Sequence, residues 1–117
     1  MLAISPTTKV FLCLENVDFR KGIDGLRAIC KEILDEDPFS GTIFVFRNRK
    51  RQLIRLLVYD GQGFWVCTKR LSEGKFNWWP DNQNRSLGTS IRACDLQALI
   101  WNGNPDRANF SKEWKKV

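Results

Sequence analysis

Residues 39–80 are the part of this chain that most limits its fold. Short runs of β-favouring residues alternate there with polar turn sequences, and Asp60-Gly61-Gln62-Gly63 is the strongest hairpin signal among them. Neighbouring strands joined by turns this short must be antiparallel. The pattern therefore predicts a β-meander with strands at 42–47, 52–60, 64–71 and 76–79.

Sequences on either side of this stretch extend the prediction to an α+β fold. Residues 9–14 (KVFLCL) are predicted to form a strand, and Asp18 is predicted to cap a helix whose apolar residues recur at helical spacing from Phe19 to Leu34. Residues 89–91 are expected to return to the sheet, and residues 95–101 to form a small helix. The expected architecture is a single antiparallel β-meander sheet of four to five strands, packed with one main helix and a small C-terminal helix.

Length and composition are typical of one folded domain. The 117 residues are 43% hydrophobic, which is enough for one core. We expect a single domain over 1–117, with the core at about 9–103 and a polar tail at 104–117. No apolar run approaches the about 20 residues of a membrane helix, and the first residues lack the features of a secretory signal. The four cysteines form no CxxC pair, so we expect reduced thiols and a cytoplasmic location, with a disulfide pair as the alternative.

The excess positive charge lies in the predicted β segment. Residues 39–79 contain 8 Lys or Arg and 2 Asp or Glu, a net charge of +6 that equals the net charge of the whole chain. The densest cluster is RNRKR at 47–51, in the first predicted turn. Such a cluster favours an anionic partner such as nucleic acid. The alternative is a solvated turn whose charge only aids solubility.

A β-ribbon with a basic tip can enter a groove of DNA, and its cations can hold the phosphate backbone. The predicted nucleic-acid-binding residues are Arg47, Arg49, Lys50, Arg51, Arg55, Lys69, Arg70, Arg20 and Lys21. Lys75 lies nearby in the sequence. The many aromatic residues of the same strands are expected to lie mostly in the core rather than to stack on bases.

Residues for catalysis are not evident. The carboxylates are dispersed, with Asp18 interpreted as a helix cap and Asp60 as a turn residue, and the chain contains no histidine. A metal-dependent nuclease needs several carboxylates that converge on metal, and nucleophilic catalysis needs a base beside the nucleophile. We therefore predict no catalytic residues, no metal site, no cofactor and no enzymatic activity.

Four motifs occur in order along the chain and resemble those of one family. They are VDFRKGIDGL at 17–26, DPFSG with FVFRNR at 37–49, YDGQGF at 59–64, and KRL at 69–71 followed by Gly74, Phe76 and Trp79-Pro80. Together they resemble the TnpB-type accessory protein, encoded by the second open reading frame of the IS66 insertion-sequence family. The resemblance covers about residues 9–80 and, more weakly, 91–103. Phe19 departs from the Met that is usual in the family, Trp78 adds an aromatic residue, and 93–117 is less family-like.

The resemblance implies a small protein that is encoded beside a separate, larger transposase and needed for transposition. Two roles fit this setting. In the first, the chain is a non-catalytic factor that binds DNA at the ends of the element through the basic hairpin. In the second, it is an adaptor that binds the transposase without contacting DNA. Its basic ribbon would then meet an acidic surface, with Trp78, Trp79, Phe110 or Trp114 as the anchor. A nuclease is the least favoured role, no membrane partner is expected, and the oligomeric state stays open.

Overall fold

A five-stranded mixed sheet with helices on both faces organises the chain, as seen in a computed structural model that describes residues 4–80 and 86–103. The strands are β1 (Val10–Cys13), β2 (Ile43–Arg47), β3 (Leu53–Tyr59), β4 (Phe64–Arg70) and β5 (Gly88–Ile91). The helices are α1 (Gly22–Ala28) and α2 (Ala93–Ile100). The tail at 104–117 lies outside the described residues, and the single-domain assignment stays a prediction.

The sheet is mixed, so the prediction of a purely antiparallel meander is wrong. The strand order is β4-β3-β2-β1-β5, and β1 pairs with β2 in parallel while the other three pairings are antiparallel. Strand β1, the helical segment and strand β2 form a β-helix-β crossover, and such a connection is what allows two strands to run parallel. The hairpins β2–β3 and β3–β4, and the return of β5 to the sheet, are as predicted.

The main helix begins where the sequence predicts it but changes its winding along its length. Asp18 is its cap, with the side chain accepting a hydrogen bond from the backbone N–H of Arg20 at 3.0 Å. A 3-10 turn (Phe19–Lys21) leads into α1, and a π-helical turn (Ile29–Ile33) follows it. Gly22 joins the first two segments with φ of 68°, a conformation that glycine adopts readily.

Each face of the sheet has its own apolar core. On one face, here called the α1 face, Phe44, Phe46 and Leu57 pack against Leu26 and Cys30 of the helical segment. On the other, the α2 face, the buried side chains include Leu12, Val45, Leu56, Leu96 and Leu99. Side chains alternate between the two faces along each strand, so β2 is apolar at nearly every position.

Residues 76–79 form no strand, although their aromatic run predicted one. Phe76 and Trp79 are buried on the α2 face, at 1% and 6% exposure, and the indole N–H of Trp79 donates to the carbonyl of Cys13 at 3.2 Å. The segment closes one end of that core as an irregular chain. An apolar run signals burial, and in so short a run it does not separate a strand from a buried loop.

Candidate nucleic-acid interface

Backbone pairing collects the predicted cations at one end of the sheet. Strand β2 ends at Arg47, the turn at 48–52 follows, and β4 finishes beside that turn because Leu53 pairs with Arg70. The N–H of Val17 donates to the carbonyl of Arg47 at 2.9 Å, which brings the 3-10 turn to the same end. We call this region the basic end, and it contains Arg20, Lys21, Arg47, Arg49, Lys50, Arg51, Lys69, Arg70 and Lys75.

The turn of the β2–β3 hairpin is held by the side chain of Asn48. Its Oδ1 accepts from the backbone N–H groups of Gln52 and Leu53, at 2.9 and 3.1 Å. Arg51 has φ of 57°, in the left-handed region, and its carbonyl accepts from the N–H of Phe76 at 2.7 Å. The tip that carries Arg49 and Lys50 is therefore a hydrogen-bonded turn in which the positions of the cations are restricted.

Five cations of the basic end are exposed and unpaired within the described part of the chain. They are Lys21, Arg49, Lys50, Arg70 and Lys75, which form no ion pair there with another side chain. Asp18 interacts electrostatically with Lys21, and Glu73 lines the same surface cleft as Arg70. Solvated cations that outnumber the acidic residues at one end of a molecule attract a polyanion with little desolvation cost.

Arg20 is exposed but already has a partner. Its guanidinium donates from Nη2 to Asp18 Oδ2 at 2.8 Å and from Nε to both carboxylate oxygens. This pairing raises the pKa of Arg20 and lowers the pKa of Asp18 to about 2, chiefly through the side-chain hydrogen bond. The Asp18 carboxylate partly neutralises the charge of Arg20, so Arg20 contributes less than Lys21 to the positive electrostatic field of the basic end.

Arg55 fastens the helical segment to the sheet. On the α1 face its Nη1 donates to the carbonyl of Phe19 and its Nε to Thr68 Oγ1, both at 2.8 Å. The guanidinium also lies 4.5 Å from the centre of the Phe19 ring. Phe19 stands where the family usually has Met. In this chain its ring gives Arg55 a stacking surface.

Arg47 and Lys69 project from the α2 face and are engaged there. The guanidinium of Arg47 lies 5.6 Å from the ring centre of Trp79, and burial lowers its pKa. Lys69 Nζ donates to the carbonyl of Ile100, the last residue of α2, and lies 5.3 Å from the ring centre of Trp101. A cation at a helix C-terminus donates a hydrogen bond to a carbonyl that has no partner within the helix, and it interacts favourably with the helix dipole.

Lys75, which the sequence indicated as a cation near the predicted binding residues, also belongs to the basic end. The N–H of Phe76 bonds to Arg51, and the carbonyl of Lys75 accepts from the Asn102 side chain at 3.3 Å, so Lys75 lies beside the hairpin turn. Its sequence signal was weak because it lies in a different turn. Only the pairing of the following loop with the β2–β3 turn brings it there.

The opposite end of the sheet is acidic. The segment that leads from the helix to β2 contains Asp35, Glu36 and Asp37, and the β3–β4 turn contains Asp60. The ring of Phe39 contacts Tyr59 and Phe64, with centres 4.9 and 5.2 Å apart, which places the two acidic sequences at the same end. The charges are thus separated along the strand direction.

The described residues, 4–80 and 86–103, contain no group of three or more side chains that could hold a metal ion, and no helix long and apolar enough to cross a membrane. All four cysteines are free thiols, with Cys13 and Cys30 buried. Burial raises the pKa of the Cys30 thiol to about 12, which keeps it protonated and unreactive.

The fold and this surface define a small α+β protein with a mixed sheet and one basic end. Comparison with known proteins then places it: the chain belongs to the IS66 Orf2-like family, which matches over residues 8–108. It is 38% identical over 80 residues to the uncharacterized protein y4jC of Sinorhizobium fredii (strain NGR234), a match that covers 68% of each chain. It is 36% identical over 78 residues to y4hO of the same organism, across 67% of this chain and 68% of the relative. No solved structure matches it significantly.

Membership confirms the resemblance and gives the chain a transposition-related accessory role in an accessory, non-catalytic family. The matched region includes every strand and both helices of the part of the chain that the structure describes, and it extends beyond the part on which the resemblance rested. The nine predicted binding residues also lie inside it. Their contact with nucleic acid stays a prediction.

Proposed function

We propose that this chain is a DNA-binding accessory protein of transposition, which holds the phosphate backbone near the ends of the element through its basic end. The observation that carries the proposal is the group of five exposed cations without ionic partners in the described part of the chain: Lys21, Arg49, Lys50, Arg70 and Lys75. They come from four different segments of the chain. The fold therefore supports a surface rather than a single charged loop.

Arg47, Arg55 and Lys69 have a different part in this proposal. Each is half-buried and bonded to the protein itself, so each positions the elements that carry the exposed cations. Arg51 lies between the two groups, since it is half-buried in the turn and its backbone holds Phe76. Contacts with phosphate do not distinguish one DNA sequence from another, so any preference for a DNA sequence must come from other contacts.

The test is a salt titration of binding to duplexes that carry the terminal repeats of the element. The double variant Arg49→Ala/Lys50→Ala removes two cations from the tip. If both contact phosphates, the slope of log K against log [salt] should become less steep by about 2, since each contact contributes about 0.9. Affinity at low salt should also fall.

The matched control is Lys9→Ala/Lys31→Ala, which removes the same charge from exposed positions away from the basic end. It should leave the slope nearly unchanged. An equal effect of the two double variants would mean that only net charge matters, and an unchanged slope in the tip variant would contradict the proposal. Circular dichroism checks that each variant is folded.

One observation favours the adaptor role as a second candidate. Trp101 is 69% exposed just after α2, beside Lys69, and tryptophan is a frequent anchor of protein interfaces. Of the anchors expected from the sequence, Trp79 is buried and Phe110 and Trp114 lie outside the described residues. Two results together would favour this role instead. The chain would co-purify with the transposase and lose that association in Trp101→Ala, and it would not bind DNA at low salt.

A further inference from the structure

Strand β4 is an edge strand with an unpaired side. It is seven residues long, contains neither glycine nor proline, and pairs only with β3 among the described residues. The other edge, β5, is four residues long and begins at Gly88. A long regular edge offers backbone donors and acceptors to another strand.

The hydrogen bonds at the two ends of the hairpin show which residues face outward. The N–H of Leu71 donates to the carbonyl of Gln52, and the N–H of Asp60 donates to the carbonyl of Gly63. Bonded pairs alternate along an antiparallel ladder, so residues 65, 67 and 69 direct their backbone groups toward β3. The outward-directed groups therefore belong to Phe64, Val66, Thr68 and Arg70.

We propose that two copies of this chain associate through β4, paired antiparallel about a two-fold axis at Cys67. In a two-fold interface each contact occurs twice, so a strand paired with itself is centred on one residue or one residue pair. Centring on Cys67 aligns all seven residues. It also pairs Val66 with the second copy's Thr68, both of which have outward backbone groups.

Side chains on both faces complement each other in this register. Lys69 comes opposite the second copy's Trp65 on the α2 face, and Arg70 comes opposite the second copy's Phe64 on the α1 face. Cross-strand pairs of a cation with an aromatic ring are favourable. Trp65 is 46% exposed, and its indole N–H donates to Asp60 Oδ2 at 2.8 Å. The carboxylate of Asp60 would therefore lie near the ammonium of the second copy's Lys69.

The charge distribution of the described residues favours the same arrangement. Antiparallel pairing brings the basic end of one copy beside the Asp60 turn of the other, whereas parallel pairing would bring the basic ends together. Lys69 uses one donor for the carbonyl of Ile100, and an ammonium has two more to offer. The occupant that fits this edge is thus a second copy in the antiparallel sense.

The first test measures mass and crosslinking. Sedimentation equilibrium of the full chain over a range of concentrations should show a dimer. Cys67 meets its counterpart in a non-hydrogen-bonded pair, where Cα atoms are about 4.5 Å apart, a separation that a disulfide accepts. A mild oxidant should therefore give a covalent dimer that Cys67→Ser loses and Cys94→Ser keeps. A monomer at all concentrations, or a dimer that crosslinks without Cys67, would overturn the proposal.

The second test examines the register. Trp65→Lys places two cations opposite each other at both ends of the interface and should weaken the dimer at least tenfold. Adding Lys69→Glu makes each pair opposite in charge and should restore much of the loss. Circular dichroism of both variants checks the fold. If the double variant is folded but associates no better than the single one, the Cys67-centred register is wrong.

Discussion

Arg55, one of the predicted nucleic-acid-binding residues, also fastens the helical segment to the sheet. Replacing it with alanine removes its two hydrogen bonds, to Phe19 and Thr68, and the stacking on the Phe19 ring. We expect Arg55→Ala to lower the free energy of unfolding by about 1–3 kcal/mol, because hydrogen bonds to charged groups contribute on this scale. Urea denaturation measures it.

Arg49→Ala is the natural comparison, since Arg49 is exposed at the turn. Its effect on the free energy of unfolding should stay within about 0.5 kcal/mol, as for most surface substitutions. DNA affinity should respond in the opposite order, with Arg49→Ala the more damaging at equal folded fraction. Equal stabilities of the two variants would contradict the framework role of Arg55.

Asp18 makes stability depend on acid pH. Its ordinary pKa of 3.8 is lowered to about 2 in the folded state by the side-chain hydrogen bond from Arg20 and then by the backbone N–H of Arg20. Because the folded state favours the charged form, this contribution is fully present above the unfolded pKa and is lost as the pH falls through the folded pKa. The loss therefore falls between about pH 4 and pH 2.

The variant Asp18→Asn should be less stable than the parent chain at neutral pH and should lose less stability over that interval. Urea midpoints at a series of pH values measure the difference. The N–H groups of Gly63 and Gln62 lower the pKa of Asp60, so Asp60 also makes stability depend on acid pH. The variant Asp60→Asn measures that contribution separately. Parallel pH curves for the parent and Asp18→Asn would contradict the assignment.

Strand β5 depends on a glycine for its close approach to the core. A Cβ at Gly88 would lie 2.3 Å from Cε2 and 2.8 Å from Cζ of the Phe11 ring. That ring also meets the buried Phe44, with centres 6.3 Å apart, so it has little freedom to move. We expect Gly88→Ala to destabilise the fold by about 1–3 kcal/mol, the usual cost of overpacking a core.

Gly63→Ala is the matched control for Gly88→Ala. A Cβ at Gly63 would meet nothing within 4 Å, and Gly63 is not among the glycines with positive φ. Thermal denaturation of both variants should therefore show a clear loss at Gly88 and a small change at Gly63. A Gly88→Ala variant as stable as the parent would mean that Phe11 has an alternative rotamer.

The elements show which parts of the fold a sequence can reveal. Turn sequences and alternation located β2, β3 and β4, since both signals are local. The parallel pairing of β1 with β2 has no local signal, because it depends on where the helical segment packs between them. The candidate site followed the same division: the turn cations were found from sequence, while Lys75 and the engagement of Arg47 depend on long-range contacts.

At the scale of the whole molecule, the charges of the described residues are separated between the two ends of one sheet. The strand directions place the β2–β3 turn and the β3–β4 turn at opposite ends, so the basic and acidic sequences lie apart even though Arg51 and Asp60 are joined by one strand. A net charge of +6 understates the local field at the basic end. Orientation toward a polyanion follows from this separation rather than from the total.

A dimer paired through β4 would carry its two basic ends at opposite extremes, because the paired strands run antiparallel. If each end holds phosphate, one dimer can bind two duplexes at once. We expect energy transfer between donor- and acceptor-labelled duplexes when the parent chain is added at low salt. The Trp65→Lys variant should bind single duplexes but join them much less, since its basic end is intact and its association through β4 is weakened. Equal energy transfer with the parent chain and with Trp65→Lys would show that the joining of duplexes does not depend on β4.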